Sequence, residues 1–375
     1  MDIKIEPVPL AERKPKPSDE SALGFGKLYS DHMFSMRWTR GVGWHDALVS
    51  KYKPIAIEPS ALVLHYGQTI FEGLKAYRNP KGGINLFRAE NNFNRFNISA
   101  QRLDLPTVEP TVLIKAIEAL IELDHEWVPH SQGASLYVRP FMFGVEPYVG
   151  LKSSSQVQLL VITGPVGAYY PEGFNPVKLQ VCEKYSRAGP GGLGSVKTAA
   201  NYAASLLAEK EAQQAGFTQV LWLDAAERKF IEEVGSMNIL LKIGGTVITP
   251  PLGGTILSGI TRDSVLALLR SWNVPVEERR ISIDEVLEQH RQGKLEEIFG
   301  AGTAAVISPV SVMNFKGENY TVGDGATGPI AKRLFEELTG IQYGIKPDPF
   351  GWIQTLYPGQ QQAQVQTANA ARAAN

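Results

Sequence analysis

Lys197 stands where a glycine-rich run meets a strong helix former. Gly189-Pro190-Gly191-Gly192-Leu193-Gly194-Ser195-Val196 precede it, and Thr198-Ala199-Ala200-Asn201-Tyr202 follow. Glycines let a backbone approach a ligand closely. The positive end of the following helix disfavours a protonated amine beside it. A lysine so placed is a candidate nucleophile, Schiff-base chemistry included. The alternative is a solvated lysine next to a flexible loop, the usual state of a lysine.

A carbonyl cofactor carried on a lysine, pyridoxal phosphate above all, needs three more groups. They are an acid at its ring nitrogen, an anion site for its phosphate and a donor to its phenolic oxygen. Tyr202, just inside the helix, can supply the donor, or it is a core tyrosine. Glu232 and Glu233 enter a strand-like run, and alternation puts them on opposite faces, one toward water and one inward. Gly259-Ile260-Thr261 opens a helix and offers free N–H groups and a hydroxyl to phosphate; Thr261 as a plain N-cap is the alternative. Gly300-Ala301-Gly302-Thr303-Ala304-Ala305 is a second small-residue turn suited to a carboxylate or phosphate. Arg95, on the helix face away from Phe93 and Phe96, either clamps phosphate bidentately or sits in solvent. Tyr137 and Arg139 alternate along one strand and share a face. With Tyr66 and Phe71 they form an aromatic wall that suits a branched aliphatic side chain. The six histidines show no metal-ligand spacing, so no metal is expected, and neither a nucleophile-elbow nor a P-loop motif occurs.

These groups need elements to hold them. Short strands are expected at Ala61 to Tyr66, Gly73 to Tyr77 and Gly83 to Phe87, separated by turn residues. Apolar spacing predicts helices over Arg88 to Leu103 and Thr111 to Trp127. Strands follow at Ser135 to Phe143 and Val157 to Thr163. The Pro- and Gly-rich stretch from Gly164 to Pro176 reads as a linker. Beyond it, strands at Val177 to Cys182, Thr218 to Leu223, Asn238 to Ile243, Thr246 to Ile248 and Val276 to Ile281 are mixed with helices. Those helices are Thr198 to Ala215, Thr261 to Ser271, Ile283 to Gln292 and Pro329 to Thr339. Gly244-Gly245 marks a hairpin and therefore antiparallel pairing. The expectation is two α+β domains with a ligand cleft between them. Residues 1–24 are a mobile lead-in, 25–165 a smaller domain, 166–176 the linker, 177–358 a larger domain and 359–375 a flexible tail.

Composition narrows the class. The chain has 375 residues, with 43% hydrophobic and 20% charged, as in soluble globular proteins. Lys+Arg 37 against Asp+Glu 38 gives a net charge of −1, which argues against a nucleic-acid surface. No apolar run reaches the roughly 18 residues of a membrane span. Cys182, the single cysteine, rules out an internal disulfide and fits a reducing compartment, taken as the cytoplasm.

Seven motifs in order resemble the branched-chain amino-acid aminotransferases of the fold-type IV pyridoxal-phosphate class. They are His65-Tyr-Gly-Gln-Thr-Ile-Phe-Glu-Gly-Leu-Lys-Ala-Tyr-Arg78, Leu136-Tyr-Val-Arg-Pro140, Gly164-Pro-Val-Gly-Ala-Tyr-Tyr170, Lys197 with Asn201-Tyr202, Glu233-Val-Gly-Ser-Met-Asn238, Gly259-Ile-Thr-Arg262 and Phe299-Gly-Ala-Gly-Thr-Ala304. They span about Phe25 to Tyr357. The resemblance implies the α+β, two-domain, D-amino-acid-aminotransferase-like fold with the active site between the domains. It implies that Lys197 carries the cofactor and moves the proton. Glu233, not Glu232, then lies at the ring nitrogen, and Tyr202 at the phenolic oxygen. Arg95, Ile260, Thr261 and Thr303 match the phosphate positions, and Ser236 keeps a hydroxyl where relatives often have Thr. Phe34, Tyr66, Phe71, Tyr137, Arg139, Tyr169, Thr303 and Ala304 match the substrate pocket. Val149 and Leu151 match a loop lent by the neighbouring subunit of a homodimer. The implied substrates are Leu, Ile and Val with 2-oxoglutarate, glutamate and the 2-oxo acids. A D-amino-acid transaminase, an aminodeoxychorismate lyase and a catalytically silent binding protein are the alternatives. Ala305 and Ser308 stand where some relatives carry a redox cysteine pair, so no thiol switch is expected there.

Overall fold

Alternating side chains in Ser135-Leu136-Tyr137-Val138-Arg139 give a strand with one apolar face and one polar-aromatic face, and this strand organises the first half of the chain. The computed structural model describes residues 2–167 and 174–357. The chain divides into two units, Met1–Tyr169 with Thr339–Asn375, and Tyr170–Leu338. Tyr169, most of the expected linker and the expected tail lie outside the described residues.

The first unit begins with β1 (Lys4–Ile5), β2 (His32–Thr39), β3 (Gly43–Lys51), α1 (Leu62–Tyr66), β4 (Thr69–Phe71), β5 (Leu74–Arg78) and β6 (Ile84–Phe87). Helices α2 (Ala89–Arg102) and α3 (Pro110–Asp124) follow, then β7 (Ser135–Gly144) and β8 (Gln156–Val166). The second unit holds β9 (Val177–Cys182), α4 (Ala199–Gln214), β10 (Gln219–Leu223), β11 (Ile231–Val234), β12 (Met237–Ile243) and β13 (Thr246–Thr249). It continues with α5 (Ile260–Ser271), β14 (Val276–Glu278), α6 (Ile283–Arg291), β15 (Leu295–Gly302), β16 (Val306–Phe315), β17 (Glu318–Thr321) and, up to Leu338, α7 (Pro329–Gln342). The last strand, β18 (Ile353–Tyr357), pairs with β6. Sequence places 177–358 in one domain; the fold groups Thr339 onward with the first unit, because β18 completes the first sheet.

Among the described residues each unit contains one nine-stranded sheet. The first runs β1-β3-β2-β8-β7-β5-β6-β18, with β4 also on β7. Its core lies between one sheet face and α2 and α3. Phe34, Leu136, Val138, Phe93, Phe96 and Leu120 meet there. Full burial of each such side chain contributes about 2–3 kcal/mol. Pro110 opens α3, where its missing N–H costs nothing.

Two expectations change in this unit. Ala61 to Tyr66 is a short helix rather than a strand. Gly67 ends it at φ +62 and donates to the Val63 carbonyl, and one turn closed by a left-handed glycine looks in sequence like a short apolar strand. The N-terminal lead-in is docked rather than loose. Lys4 and Ile5 pair with Leu48 and Val49. The buried Val8 donates its N–H to His32 Nε2 at 2.9 Å, while His32 Nδ1 lies 2.7 Å from Asp124 Oδ1.

The second sheet runs β11-β10-β9-β16-β15-β12-β13-β14, and β11 also pairs with β12, so six strands close on themselves. Ala208 and Ala212 of α4 pack on Val220 and Trp222. Gly216, at φ +86, lets the chain leave α4. Gly244 and Gly245, both at positive φ, make the tight β12–β13 hairpin.

Candidate active site

The helix that follows Lys197 starts late. Thr198 is the N-cap of α4, in extended conformation, so Lys197 lies just outside the first turn. Its half-buried Nζ donates to Tyr202 Oη at 2.7 Å. Asn201 reaches back with Nδ2 to the carbonyls of Leu193 (2.8 Å) and Val196 (2.9 Å) and pins the glycine-rich loop. Within that loop a Cβ on Gly194 would lie 2.2 Å from the Thr255 carbonyl oxygen, so only glycine lets the two backbones meet.

Glu233 is the electrostatic centre of the second unit. It is 2% exposed, and its Oε2 is 2.5 Å from Arg187 Nε. Its Oε1 accepts from Asn238 Nδ2 at 2.9 Å and from the Leu257 N–H at 3.2 Å. Burial pushes its carboxyl up to about 7, against the opposing pull of Arg187, the Leu257 N–H and the charge of Lys197. Glu232 does not face water as alternation suggests. It is buried as well, because the loop carrying Thr255 covers its face, and Thr255 Oγ1 donates to Glu232 Oε1 at 2.5 Å. Burial also raises the Glu232 carboxyl.

Asn238 links this carboxylate to α5. Its Nδ2 also donates to the Leu257 carbonyl at 2.9 Å. A Cβ on Gly259 would fall 1.8 Å from Asn238 Oδ1. Gly259, not Thr261, is the N-cap of α5, and no side chain caps it. Ile260 and Thr261 are therefore first-turn residues with unspent backbone N–H groups, and both are buried. Ser236 is exposed at the β11–β12 turn beside Gly235, which has φ +53. Thr303 and Ala304, both half-buried, form the β15–β16 turn. The pairing of Asn238 with Ala301 brings these two turns to one end of the sheet. The turn ends at Val306 with φ +62, a conformation a β-branched residue adopts only under strain. A small hollow lined by Arg187, Asn201, Tyr202, Ser205, Gly235 and Ser236 lies among these groups.

In the first unit, Tyr137 and Arg139 share a sheet face as expected. Arg139 Nη2 donates to Tyr137 Oη at 3.0 Å. Its guanidinium lies 4.7 Å over the Phe71 ring, and its Nε is buried with no hydrogen-bond partner. Gly73 makes room for the tyrosine, since a Cβ there would lie 2.0 Å from Tyr137 Oη. Phe34 is not brought to this face. It pairs with Val161, which also pairs with Pro140, and the pleat turns it into the helix-covered core, away from Tyr137 and Arg139. Phe25 reaches Tyr137 instead, edge to face at 5.0 Å. Arg95 is buried and gives Nε and Nη2 to the two oxygens of Glu72, at 2.7 and 2.9 Å. Tyr66, exposed, donates to the Val149 carbonyl, and Val149 (60%) and Leu151 (82%) are themselves exposed.

Arg187, Asn238 and Lys75 complete these clusters and were not read as site residues from sequence. Lys75 pairs with Tyr137 and is buried, which lowers its amine to about 8. A lysine inside the apolar strand Leu74–Arg78 is a signal that sequence does offer; Arg187 carries none. Among the described residues no group of three or more His, Cys, Asp or Glu could hold a metal, and no helix is long and apolar enough to cross a membrane.

The second-unit groups suit a phosphorylated, cationic heteroaromatic ring. They comprise an amine on a tyrosine hydroxyl, a buried carboxylate whose Oε2 takes one donor, and a glycine-capped helix start. Comparison with known proteins agrees. The amino-transferase class IV family model matches residues 69–313. The chain is 49% identical over 340 residues to the branched-chain-amino-acid aminotransferase 2 of Bacillus subtilis (strain 168), covering 91% of this chain and 93% of that protein. The Escherichia coli branched-chain amino acid aminotransferase structure superposes with a TM-score of 0.72 at 26% identity, over 86% of this chain and 99% of that one. A T.th. branched-chain amino acid aminotransferase, complexed with N-(5'-phosphopyridoxyl)-L-glutamate, superposes with a TM-score of 0.70 at 26% identity, over 86% and 98% of the two chains. With the lysine, tyrosine and glutamate in place and the similarity running through both units, the chain belongs to the class IV aminotransferase family.

Proposed function

We propose that the protein moves the amino group of branched-chain L-amino acids to 2-oxoglutarate, using pyridoxal 5'-phosphate attached to Lys197. The Lys197–Tyr202 contact beside the buried Glu233 is the observation that carries this reading, and the names of the relatives support the substrate class. When bound, the cofactor supplies a carbonyl carbon for the amino group and a ring that accepts electron density.

The side chains would do the rest. Lys197 Nζ would take the proton from the substrate Cα and deliver it to the carbon that was the cofactor's carbonyl. Tyr202 Oη, already its hydrogen-bond partner, holds that amine in place and is the donor to the phenolic oxygen. Glu233 keeps a proton on the ring nitrogen, and the low-dielectric site strengthens the charge pair. The N–H groups of Ile260 and Thr261, with Ser236, Thr303 and Arg95, are assigned to the phosphate. Tyr66, Phe71, Tyr137, Arg139, Tyr169 and Ala304 are assigned to the substrate. The cationic Arg139 is the candidate partner for the second carboxylate of glutamate. The exposure of Val149 and Leu151 suits a loop that a second copy covers in a homodimer. The lone Cys182 accords with a cytoplasmic enzyme.

An absorbance titration tests the reading. The cofactor band of the holoenzyme should be lost with L-leucine and return with 2-oxoglutarate. A band that responds only to a D-amino acid, or no band after pyridoxal phosphate is added, would refute it.

A further inference from the structure

Arg187 belongs to none of the motifs and to no step above, yet it touches three separate segments of the second unit. Its side chain is 8% exposed. Nε meets Glu233 Oε2 on β11 at 2.5 Å. Nη1 donates to the Thr255 carbonyl at 2.8 Å and to the Gly194 carbonyl at 3.4 Å, and Nη2 donates to Gly194 at 3.2 Å. Gly194 lies in the loop that leads to Lys197, and Thr255 in the loop that leads to α5.

We propose that Arg187 is a positioning residue that keeps Glu233 anionic and in place beneath the cofactor's ring nitrogen while tying together the loops that carry Lys197 and the phosphate-binding helix start. This rests on the transaminase reading. The two carbonyls converge because Gly194 and Thr255 abut. Gly194 is buried and Thr255 half-buried, so their carbonyl oxygens need donors from the protein. A planar guanidinium serves both and still points Nε at a carboxylate, whereas an ammonium cannot hold that fork.

The charged groups facing Glu233 are few. Arg187 and Lys197 favour its anion, Glu232 opposes it, and Asn238 and the Leu257 N–H donate to it. Of these Arg187 is the strongest counterweight to burial. Without it the carboxyl holds its proton through neutral pH, and a neutral acid cannot keep a pyridine nitrogen protonated.

Two measurements on Arg187→Met, Arg187→Lys and Glu233→Gln test this. In cofactor-free protein, infrared difference titration follows the carboxyl band that Glu233→Gln removes. That band should titrate about a unit or more higher in Arg187→Met than in wild type, the size expected on losing an adjacent opposite charge. In holoenzyme carrying ring-15N pyridoxal phosphate, the nitrogen resonance should report a protonated ring at pH 8 in wild type and an unprotonated one in Arg187→Met. Arg187→Lys keeps the charge but not the fork. It should leave the carboxyl titration near wild type and weaken cofactor affinity about tenfold, one lost charge-assisted hydrogen bond's worth. An unchanged carboxyl titration in a folded Arg187→Met protein would overturn the proposal. Should Arg187→Met not fold, wild-type cofactor affinity in Arg187→Lys would overturn it. A wild type that takes up no pyridoxal phosphate would sink the transaminase reading, while the infrared titration would still decide the link between Arg187 and Glu233.

Discussion

Glu233 should make the stability of the cofactor-free protein depend on pH in a direction opposite to most ion-paired carboxylates. In the unfolded chain its carboxyl has the ordinary value of 4.5, and burial raises it to about 7 in the fold. Folding therefore favours the protonated form. This preference is fully present below 4.5 and is lost as pH rises through about 7. The gap between those values corresponds to roughly 3 kcal/mol at about 1.4 kcal/mol per unit. Glu233→Gln removes the titration and keeps the size. It also leaves Arg187 without its anion, a cost that is constant with pH because the guanidinium does not titrate. The stability difference between wild type and variant should thus move by roughly 3 kcal/mol from pH 4.5 to 8, with wild type losing ground as pH rises. Urea unfolding of the cofactor-free protein, followed by tryptophan fluorescence, measures it, since Trp222 pairs directly with Glu233. A difference that stays constant across this range would show that Glu233 keeps one charge state throughout and would refute the reasoning.

Lys197→Ala should retain its fold and show no multiple turnover; borohydride should fix pyridoxal phosphate to wild type and not to the variant, as read by intact mass. Gly73→Ala places a methyl 2.0 Å from Tyr137 Oη and should cost about 1–3 kcal/mol of overpacking. It should raise the KM for L-leucine while leaving cofactor affinity unchanged, and a kinetic comparison with a cofactor titration separates the two. Arg139→Ala, which removes the cation stacked on Phe71, should reduce kcat/KM for 2-oxoglutarate more than for leucine; equal losses would remove Arg139 from carboxylate recognition.

What could be read from sequence follows from periodicity. Phe93, Phe96 and Ala100 mark the buried face of α2, and Gly216 and Gly244-Gly245 mark where the chain turns. The alternation of Tyr137 and Arg139 gives their shared face. The rest depends on register and burial, which no local pattern contains. Phe34 and Arg139 lie on opposite faces because of how β2, β8 and β7 are aligned, and a one-residue slip would reverse that. The N-terminal segment has loop-like composition but docks because His32, held by Asp124, offers an acceptor to Val8 from a distant strand. Arg187 has no sequence signal, since two of its three contacts, Glu233 and Thr255, come from segments far along the chain.

The adjacent acids show how placement assigns chemistry that composition leaves open. Glu232 and Glu233 are the same residue type on the same strand, both buried and both raised by burial. An anion at Glu232 finds one donor, the Thr255 hydroxyl, and leaves Oε2 buried with no hydrogen-bond partner. An anion at Glu233 finds the guanidinium of Arg187, the amide of Asn238 and the Leu257 N–H. A carboxylate with three donors around it can give up its proton near neutral pH at far lower cost than one with a bare oxygen. Thr255 touches both sites, donating its hydroxyl to Glu232 and accepting Arg187 at its carbonyl. The loop that satisfies the silent acid therefore also holds the arginine that keeps its neighbour charged.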